Sequence, residues 1–174
     1  MMKTLTELEN LFGGWICTAT GVPADHVMIS FQQYGRPAFS PADDVIFFSI
    51  MPQIDIAEQY KSIALEYDAA SGQFDYTQCS QRTLHLDVIA YGTGGYNNLL
   101  MLSNWFYSPD AQIELKNNGL SFVPDHIYGV TRTYEEYNGQ WWERADLRER
   151  FYCAANIEMK INKFDSFDIR TEVD

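Results

Sequence analysis

The feature that most constrains the fold is a two-residue alternation over residues 147–161. Apolar side chains such as Leu147 and Phe151 occupy most of the odd positions, whereas Arg148, Arg150 and other polar or small residues occupy the even ones. Side chains of a β-strand alternate between the two faces of a sheet, while an apolar helix face repeats about every 3.6 residues. The pattern predicts a long strand that turns one face to a core and both arginines to the opposite face.

A second long strand is predicted within residues 73–91, because apolar residues take alternate positions from Leu84 to Ala90. The run 45–51 is apolar on both faces, which is typical of a central or doubly covered strand. Residues 54–67 fit either a strand or a helix.

Shorter strands complete the predicted sheet. They are expected over 26–32, 120–123 and 128–134 and in a final edge segment with Phe167, Ile169 and Val173. Asn138-Gly139 is a hairpin turn signal. These strands add edges to the two long ones.

Three helices are predicted from apolar residues at helical spacing. Thr4 and Glu7 have the form of a capping box, so a first helix is expected over about residues 4–18. A second helix is expected over 96–106, and a third, which starts with a serine cap and a proline, over 108–117.

Together these elements predict an α+β fold. Its predominantly antiparallel sheet carries the N-terminal helix and the two consecutive central helices on one face. With 174 residues, of which 46% are hydrophobic, the chain is long enough to bury one sizeable core. One domain over residues 1–174 is therefore expected.

The charge balance is acidic, because 24 Asp and Glu oppose 12 Lys and Arg and give a formal charge of −12. Long-range attraction to nucleic-acid phosphates is therefore not expected. No apolar run approaches the roughly 18 residues of a membrane span, and residues 1–20 lack the pattern of a secretion signal. The sequence predicts a cytosolic product with no membrane partner.

Metal and cofactor sites find no support in the sequence. Cys17, Cys79 and Cys153 lie far apart without a C-x-x-C, and the three histidines are equally dispersed. The glycine-rich turn 92–95 stands between a predicted strand and a predicted helix, but it lacks the positions that define a nucleotide-binding turn. We expect buried thiols, an ordinary turn, and no metal or cofactor.

No catalytic constellation is recognisable. His85 and Asp87 share a strand face and could orient a proton-transfer group, but no serine or cysteine nucleophile stands in a known context. Asp43 and Asp44 are adjacent, so they make a poor two-carboxylate site and are expected to be solvated surface. The chain is not expected to be an enzyme.

Positive charge is concentrated at Arg144, Arg148 and Arg150, behind Trp141 and Trp142. Three interpretations stay open: a solvated face that balances acidic neighbours, a nucleic-acid contact, or an interface where guanidinium groups meet a partner's carboxylates. A second copy of this acidic chain supplies such carboxylates, and Arg with Trp and Tyr is enriched at interface hot spots. A contact between two different surfaces closes into a ring when the rotation is right.

From Thr83 to the C-terminus, the order of elements resembles the neck or tail terminator proteins of tailed bacteriophages. The matching features are a strand that ends in an aromatic residue and glycine (TLHLDVIAYG), a helix (NNLLMLSNWF), a second short helix before a glycine-led strand (NNGLSFVPD) and an arginine-rich start of a long strand (ERADLRERFYCAANIEM). Upstream, the loop Tyr34-Gly-Arg-Pro37 is similar to the Pro-containing loop before the family's first core strand.

This resemblance implies a structural virion protein. Members form a ring, usually of six copies, that caps the tail tube or joins it to the head connector. The expected partners are further copies of the chain, the connector or head-completion protein and the tail tube protein. DNA is expected to pass without specific binding through an acidic lumen. The expected location is the virion neck, after assembly in the host cytoplasm.

Subunit contacts are expected from the arginine-rich strand and its flanks. The expected interface residues are Trp141, Trp142, Glu143, Arg144, Asp146, Arg148, Arg150 and Tyr152. The loop residues Tyr34, Arg36 and Pro37 are expected to make a further contact.

Two other classes of function stay open. One is a small host binding module with an aromatic groove around Trp141 and Trp142, and the other is an enzyme of unrecognised class whose pocket is assembled only on folding.

Overall fold

The computed structural model of the chain describes residues 3–30, 39–53, 61–124, 129–137 and 139–162. The helices of these residues are α1 Leu5–Thr20, α2 Gly95–Trp105 and α3 Pro109–Asn117. The strands are β1 Val27–Ile29, β2 Val45–Gln53, β3 Ser62–Asp68, β4 Gln73–Tyr91, β5 Leu120–Val123, β6 Thr131–Tyr137 and β7 Gln140–Asn162.

Two very long strands, β4 and β7, form the centre of the sheet. They pair antiparallel without interruption from Gln73 opposite Asn162 to Tyr91 opposite Arg144. Strands usually have three to ten residues, whereas β4 has 19 and β7 has 23. At about 3.3 Å per residue the shared ladder is roughly 60 Å long. Both long strands predicted from alternation are confirmed.

The remaining strands attach to different ends of this ladder. The continuous order is β1-β2-β4-β7-β5, while β3 pairs with the first half of β4 and β6 with the first part of β7. Each of these pairs is antiparallel except β1 with β2. The predominantly antiparallel α+β fold is therefore confirmed.

Helix α1 begins as its sequence predicts. The Thr4 hydroxyl accepts a hydrogen bond from the Glu7 backbone N–H at 3.2 Å, and the Glu7 carboxylate accepts one from the Thr4 N–H at 2.7 Å. Gly21, in the left-handed conformation at φ 73°, ends the helix. Within the helix, Gly13 lets the backbone lie close to the sheet, because an added Cβ would lie 3.4 Å from the Phe48 ring.

The main core lies between this helix layer and one face of the sheet. Phe12 of α1 and Phe106, just after α2, both place their rings edge-on to Phe151 of β7, with centroids 4.9 and 5.0 Å apart. All three side chains are fully buried. Burial of each contributes about 2–3 kcal/mol to stability.

The opposite side of the sheet, on which the described residues place no helix, is called the open face below and carries a smaller apolar cluster. Met28, Val45 and Phe47 are buried there against Phe39 and Tyr91. Because the alternate β2 residues belong to the main core, β2 is buried on both faces from Val45 to Ile50. The doubly apolar run predicted a covered strand, and the structure has one.

Several expectations are adjusted by the structure. In the described part of the expected 26–32 strand, residues 26–30, Val27–Ile29 form the short β1 after a 3₁₀ turn at Ala24–His26. The strand expected over 128–134 is found as β6, Thr131–Tyr137. Residues 62–68 are a strand, and Gly139 turns the β6–β7 hairpin at φ 73°. Cys153 is buried as expected, whereas Cys79 is exposed because it lies on β4 beyond the buried part of that strand.

One expectation about the core is wrong. Ile157 and Met159 share the parity of the core residues of β7, but they are 49% and 50% exposed, because no described helix covers that end of the strand. The predicted loop at Tyr34–Pro37 and the edge segment around Phe167, Ile169 and Val173 lie outside the described residues.

Candidate subunit interface

The predicted interface residues divide between the two faces of the sheet. The even-numbered ones lie on the open face: Trp142, Arg144, Asp146, Arg148, Arg150 and Tyr152. Trp141 and Glu143 point to the other side, where Trp141 is 67% exposed. Trp142 instead packs edge-on to Tyr91 on the open face, with centroids 6.2 Å apart. The two tryptophans therefore do not line one groove, which removes the feature on which the alternative of a groove-binding module rested.

Arg148 binds a carboxylate of its own subunit. Asp87 lies directly opposite on β4, and both guanidinium Nε and Nη2 donate to its two carboxylate oxygens, Nη2 at 2.9 Å. The side chains of Arg148 and Asp87 keep 46% and 20% of their surface exposed. The carboxylate that the sequence offered for proton transfer beside His85 is thus an ion-pair partner.

Arg144 lies in a small network on the same face. Its Nη2 and Nε donate to Asp146 at 2.8 and 3.0 Å, and its Nη1 donates to Glu135 of β6 at 3.2 Å. The hydrogen bond to Asp146 is the main cause that raises the pKa of Arg144. The guanidinium charge is therefore largely balanced inside the subunit.

Tyr91 completes this network from β4. Its hydroxyl donates to the same Glu135 oxygen at 2.9 Å. Burial, followed by this hydrogen bond, raises the pKa of Tyr91 to about 12. Tyr91 consequently remains a neutral hydrogen-bond donor at ordinary pH.

The open face continues along β7 towards a shallow depression. Arg150 is half-buried opposite His85, and Tyr152 lies opposite Thr83. The depression has a volume of about 780 Å³. Tyr152, Lys61 and Lys116 line it, together with mostly small or polar residues of the neighbouring strands. Among the described residues, no group of three or more His, Cys, Asp or Glu is arranged to hold a metal.

The glycine-rich turn is filled by the protein's own carboxylate. The Gly94 N–H donates to Asp44 Oδ1 at 2.8 Å, and the Asn98 amide donates to Oδ2 at 3.3 Å. A Cβ on Gly92 or Gly94 would lie 2.4 or 2.2 Å from these oxygens. Asp44 thus takes the position at the start of α2 that a phosphate takes in a nucleotide-binding turn, and the expectation that it is solvated surface is wrong.

Sequence reasoning also missed the role of Glu149. This carboxylate is only 4% exposed and accepts a hydrogen bond from the Ser103 hydroxyl of α2 at 2.8 Å. Its odd position on β7 was the available signal, because that parity belongs to the core face. The bond ties the helix layer to the sheet.

Comparisons with known proteins place the chain in a family. No curated protein matches the chain. In the described part of the chain, none of the helices has the length and apolar character needed to cross a bilayer. A family model described as phage neck terminator protein matches residues 6–173, which confirms the resemblance identified from the sequence. Because the match covers nearly the whole chain, this protein belongs to the phage neck terminator protein family.

Proposed function

We propose that this chain, acting as a single domain, assembles with copies of itself into a ring of six at the phage neck. The ring ends the tail tube and joins it to the head connector, after assembly in the host cytoplasm. The observation that supports this role most directly is the family match over residues 6–173.

The role is structural and requires no reaction or cofactor. The groups that the sequence offered for chemistry are engaged in bonds that hold the fold. Asp87 binds Arg148, and Asp44 binds the backbone of Gly94. These bonds support a rigid building block rather than an enzyme.

The open face of β7 is the proposed contact between neighbouring subunits. Arg144 and Arg148 are already held by carboxylates of their own chain, so net attraction to a neighbour's acidic flank is weaker than their number suggests. The same ion pairs fix the side chains in place, which lowers the entropy lost when a neighbour docks. Arg148 remains 46% exposed, and the half-buried Trp142 lies on the same face. Recognition on this face depends on ordered hydrogen-bonding groups.

The composition supports the proposal of an acidic lumen. Each copy carries −12, so a ring surrounds passing DNA with carboxylates of the same sign as its phosphates. Screening restricts this repulsion to roughly 8–10 Å from the wall at physiological salt. The effect is to prevent DNA from adsorbing, without opposing its passage at a distance.

The subunit contact is tested with two matched substitutions, Arg148→Glu and Arg132→Glu. Arg132 of β6 pairs with Glu143 on the other side of the sheet, and the exposures of the two pairs are nearly equal, 49% and 18% against 46% and 20%. Each change breaks one internal ion pair and places two carboxylates together, so the two variants perturb the fold in the same way.

We expect Arg148→Glu, strengthened if necessary by Arg150→Glu, to leave a folded monomer, whereas Arg132→Glu keeps the ring. Mass from light scattering, with circular dichroism as the folding control, measures both. A ring of unchanged mass in the Arg148 and Arg150 variant would reject the open face as the contact.

A further inference from the structure

Part of the sheet extends beyond the helix layer. It consists of β3, residues 73–81 of β4 and residues 154–162 of β7, and is called the arm below. The strands of the arm are paired throughout, β3 with β4 and β4 with β7. Buried residues on β4 begin only at Thr83, and those on β7 end at Ala155. The arm is therefore a three-stranded ribbon without a described layer above it.

The arm is amphipathic. On the side that continues the core face, Leu65 of β3 lies opposite Tyr76 of β4, which lies opposite Met159 of β7. Neighbouring rows on this side repeat the pattern with Ile63 and Tyr67. No charged residue lies on this side between the arm's three strands, whereas the other side carries carboxylates and Lys160.

This apolar side is well exposed. Its exposed large side chains are Ile63, Leu65, Tyr67, Ile157 and Met159, each between 49% and 58% accessible. Taking about 200 Å² for a fully exposed large side chain, they present roughly 500 Å² of apolar surface. The largest apolar patch that a soluble monomer exposes is typically about 300–600 Å² and is often functional, and the arm's patch lies in the upper part of that range.

A second uncharged surface, the outer stripe of α2, runs along the outer side of that helix and carries Leu100 and Met101 between two asparagines. Asn97, Leu100, Met101 and Asn104 face solvent at the i, i+3, i+4, i+7 spacing of one helix face. The helix contains no charged residue, and Tyr107, 52% exposed, follows it. In a chain of net charge −12, these two surfaces are where copies can approach without placing carboxylates against each other.

We propose that the apolar side of the arm of one copy packs against the outer stripe of α2 on the adjacent copy. The contact joins two different surfaces, which is the type that closes into a ring, whereas an arm-to-arm contact would give two-fold pairs. The proposal rests on the ring proposed above, but it uses a surface distinct from the open face.

The size of the contact predicts its strength. The arm offers roughly 500 Å² of apolar surface, and Leu100, Met101 and Tyr107 offer roughly 300 Å² on the same scale. The contact therefore buries at most about 1,000 Å² in total, the lower limit for a specific interface. The arm contact is therefore weak between two isolated copies. The contact gains stability in a closed ring, because each copy takes part in it twice, once through its arm and once through its α2 stripe.

Engineered cysteines test the geometry. In a Cys79→Ser background, which removes the exposed native thiol, Leu65→Cys combined with Met101→Cys is expected to give a ladder of disulfide-linked oligomers under mild oxidation. Neither single variant is expected to do so. Linked dimers from Leu65→Cys alone would show arm-to-arm pairing and overturn the proposal.

A charge substitution tests the energetics. Leu65→Glu is expected to weaken assembly at least tenfold, whereas Ala64→Glu, which introduces the same charge on the polar side of the same strand, leaves it unaltered. Both positions are exposed, so both variants fold, which thermal unfolding verifies.

The outcomes separate this inference from the ring itself. Rings that form without the Leu65–Met101 link and tolerate Leu65→Glu would overturn the arm contact and leave the ring standing. Linked species that remain dimeric or grow into open fibres would support the contact and reject the ring. Intact Leu65→Glu rings that no longer enter virions would assign the arm to a different virion protein. A wild-type chain that is monomeric at every accessible concentration would overturn both proposals.

Discussion

The Asp44 carboxylate lies 2.8 Å from the backbone nitrogen of Gly94, a residue 50 positions later in the chain. Through this bond the loop before β2 closes the start of α2. The bond requires that residue 94 has no side chain, because a Cβ there would lie 2.2 Å from the other carboxylate oxygen.

Gly94→Ala is therefore expected to destabilise the protein by about 2–4 kcal/mol through crowding and loss of this bond. Gly94 has φ −93°, so alanine meets no backbone strain. Gly14→Ala is the control, because nothing lies within 4 Å of its added Cβ inside α1. We expect it to be neutral or to stabilise by about 0.5–1 kcal/mol. Urea unfolding measures both, and equal midpoints for the two variants would contradict the packing described.

Phe151 is the point where the helix layer meets β7. Phe151→Ala is expected to cost about 3–5 kcal/mol, because two edge-on ring contacts are lost and a cavity remains between rigid layers. Phe151→Leu leaves a smaller cavity and should cost less. Thermal or urea unfolding measures the loss of stability in both variants. A loss below about 1 kcal/mol for the alanine variant would contradict this core packing.

The raised pKa of Tyr91 predicts that the stability of the protein depends on pH in the alkaline range. Its pKa is raised from 10.0 to about 12 in the folded state, so between these values the folded protein retains a proton that the unfolded chain releases. Stability contributed by neutral Tyr91 is complete below pH 10 and is lost as pH rises towards 12. Tyr91→Phe should show a shallower decline over this window than wild type. Parallel declines for Tyr91→Phe and wild type would exclude the linkage.

The lowered pKa of Asp68 predicts that the turn at the tip of the arm is sensitive to acid. Hydrogen bonds from Ser71, from the Ala70 N–H and from Lys160 lower the pKa of Asp68 from 3.8 to about 2. Its stabilising effect is present above pH 3.8 and is lost as pH falls to about 2. Ser71→Ala should raise this pKa more than Lys160→Met, because the serine bond is the largest cause. Carboxyl titration by NMR measures it, and an unchanged pKa in Ser71→Ala would refute the assignment.

The long strands were predictable because alternation persists over many residues and only one period fits. Alternation identifies which face a side chain is on, but it does not identify what covers that face. Ile157 and Met159 have the same parity as Phe151, yet they lie beyond the helices and form part of the arm. The extent of the helix layer depends on tertiary packing, so the arm was not visible in the sequence.

The register of the strands decides which carboxylates pair with the arginines of the candidate interface. Asp87 and Arg148 are 61 residues apart and meet only because β4 and β7 pair with Asp87 opposite Arg148. Composition showed surplus carboxylates, but it could not show that those nearest the arginines belong to the same subunit. The arginine-rich strand was located correctly, and its role as a subunit contact stays a prediction.

The uninterrupted pairing of β4 with β7 also has a mechanical meaning. The same two strands run through both the arm and the core, from Gln73 opposite Asn162 to Tyr91 opposite Arg144. A pull on the arm along its length would load the rungs of this ladder together in shear, instead of peeling them one after another. If neighbouring copies hold one another by the arm, tension in the particle would reach the centre of each subunit without crossing a hinge.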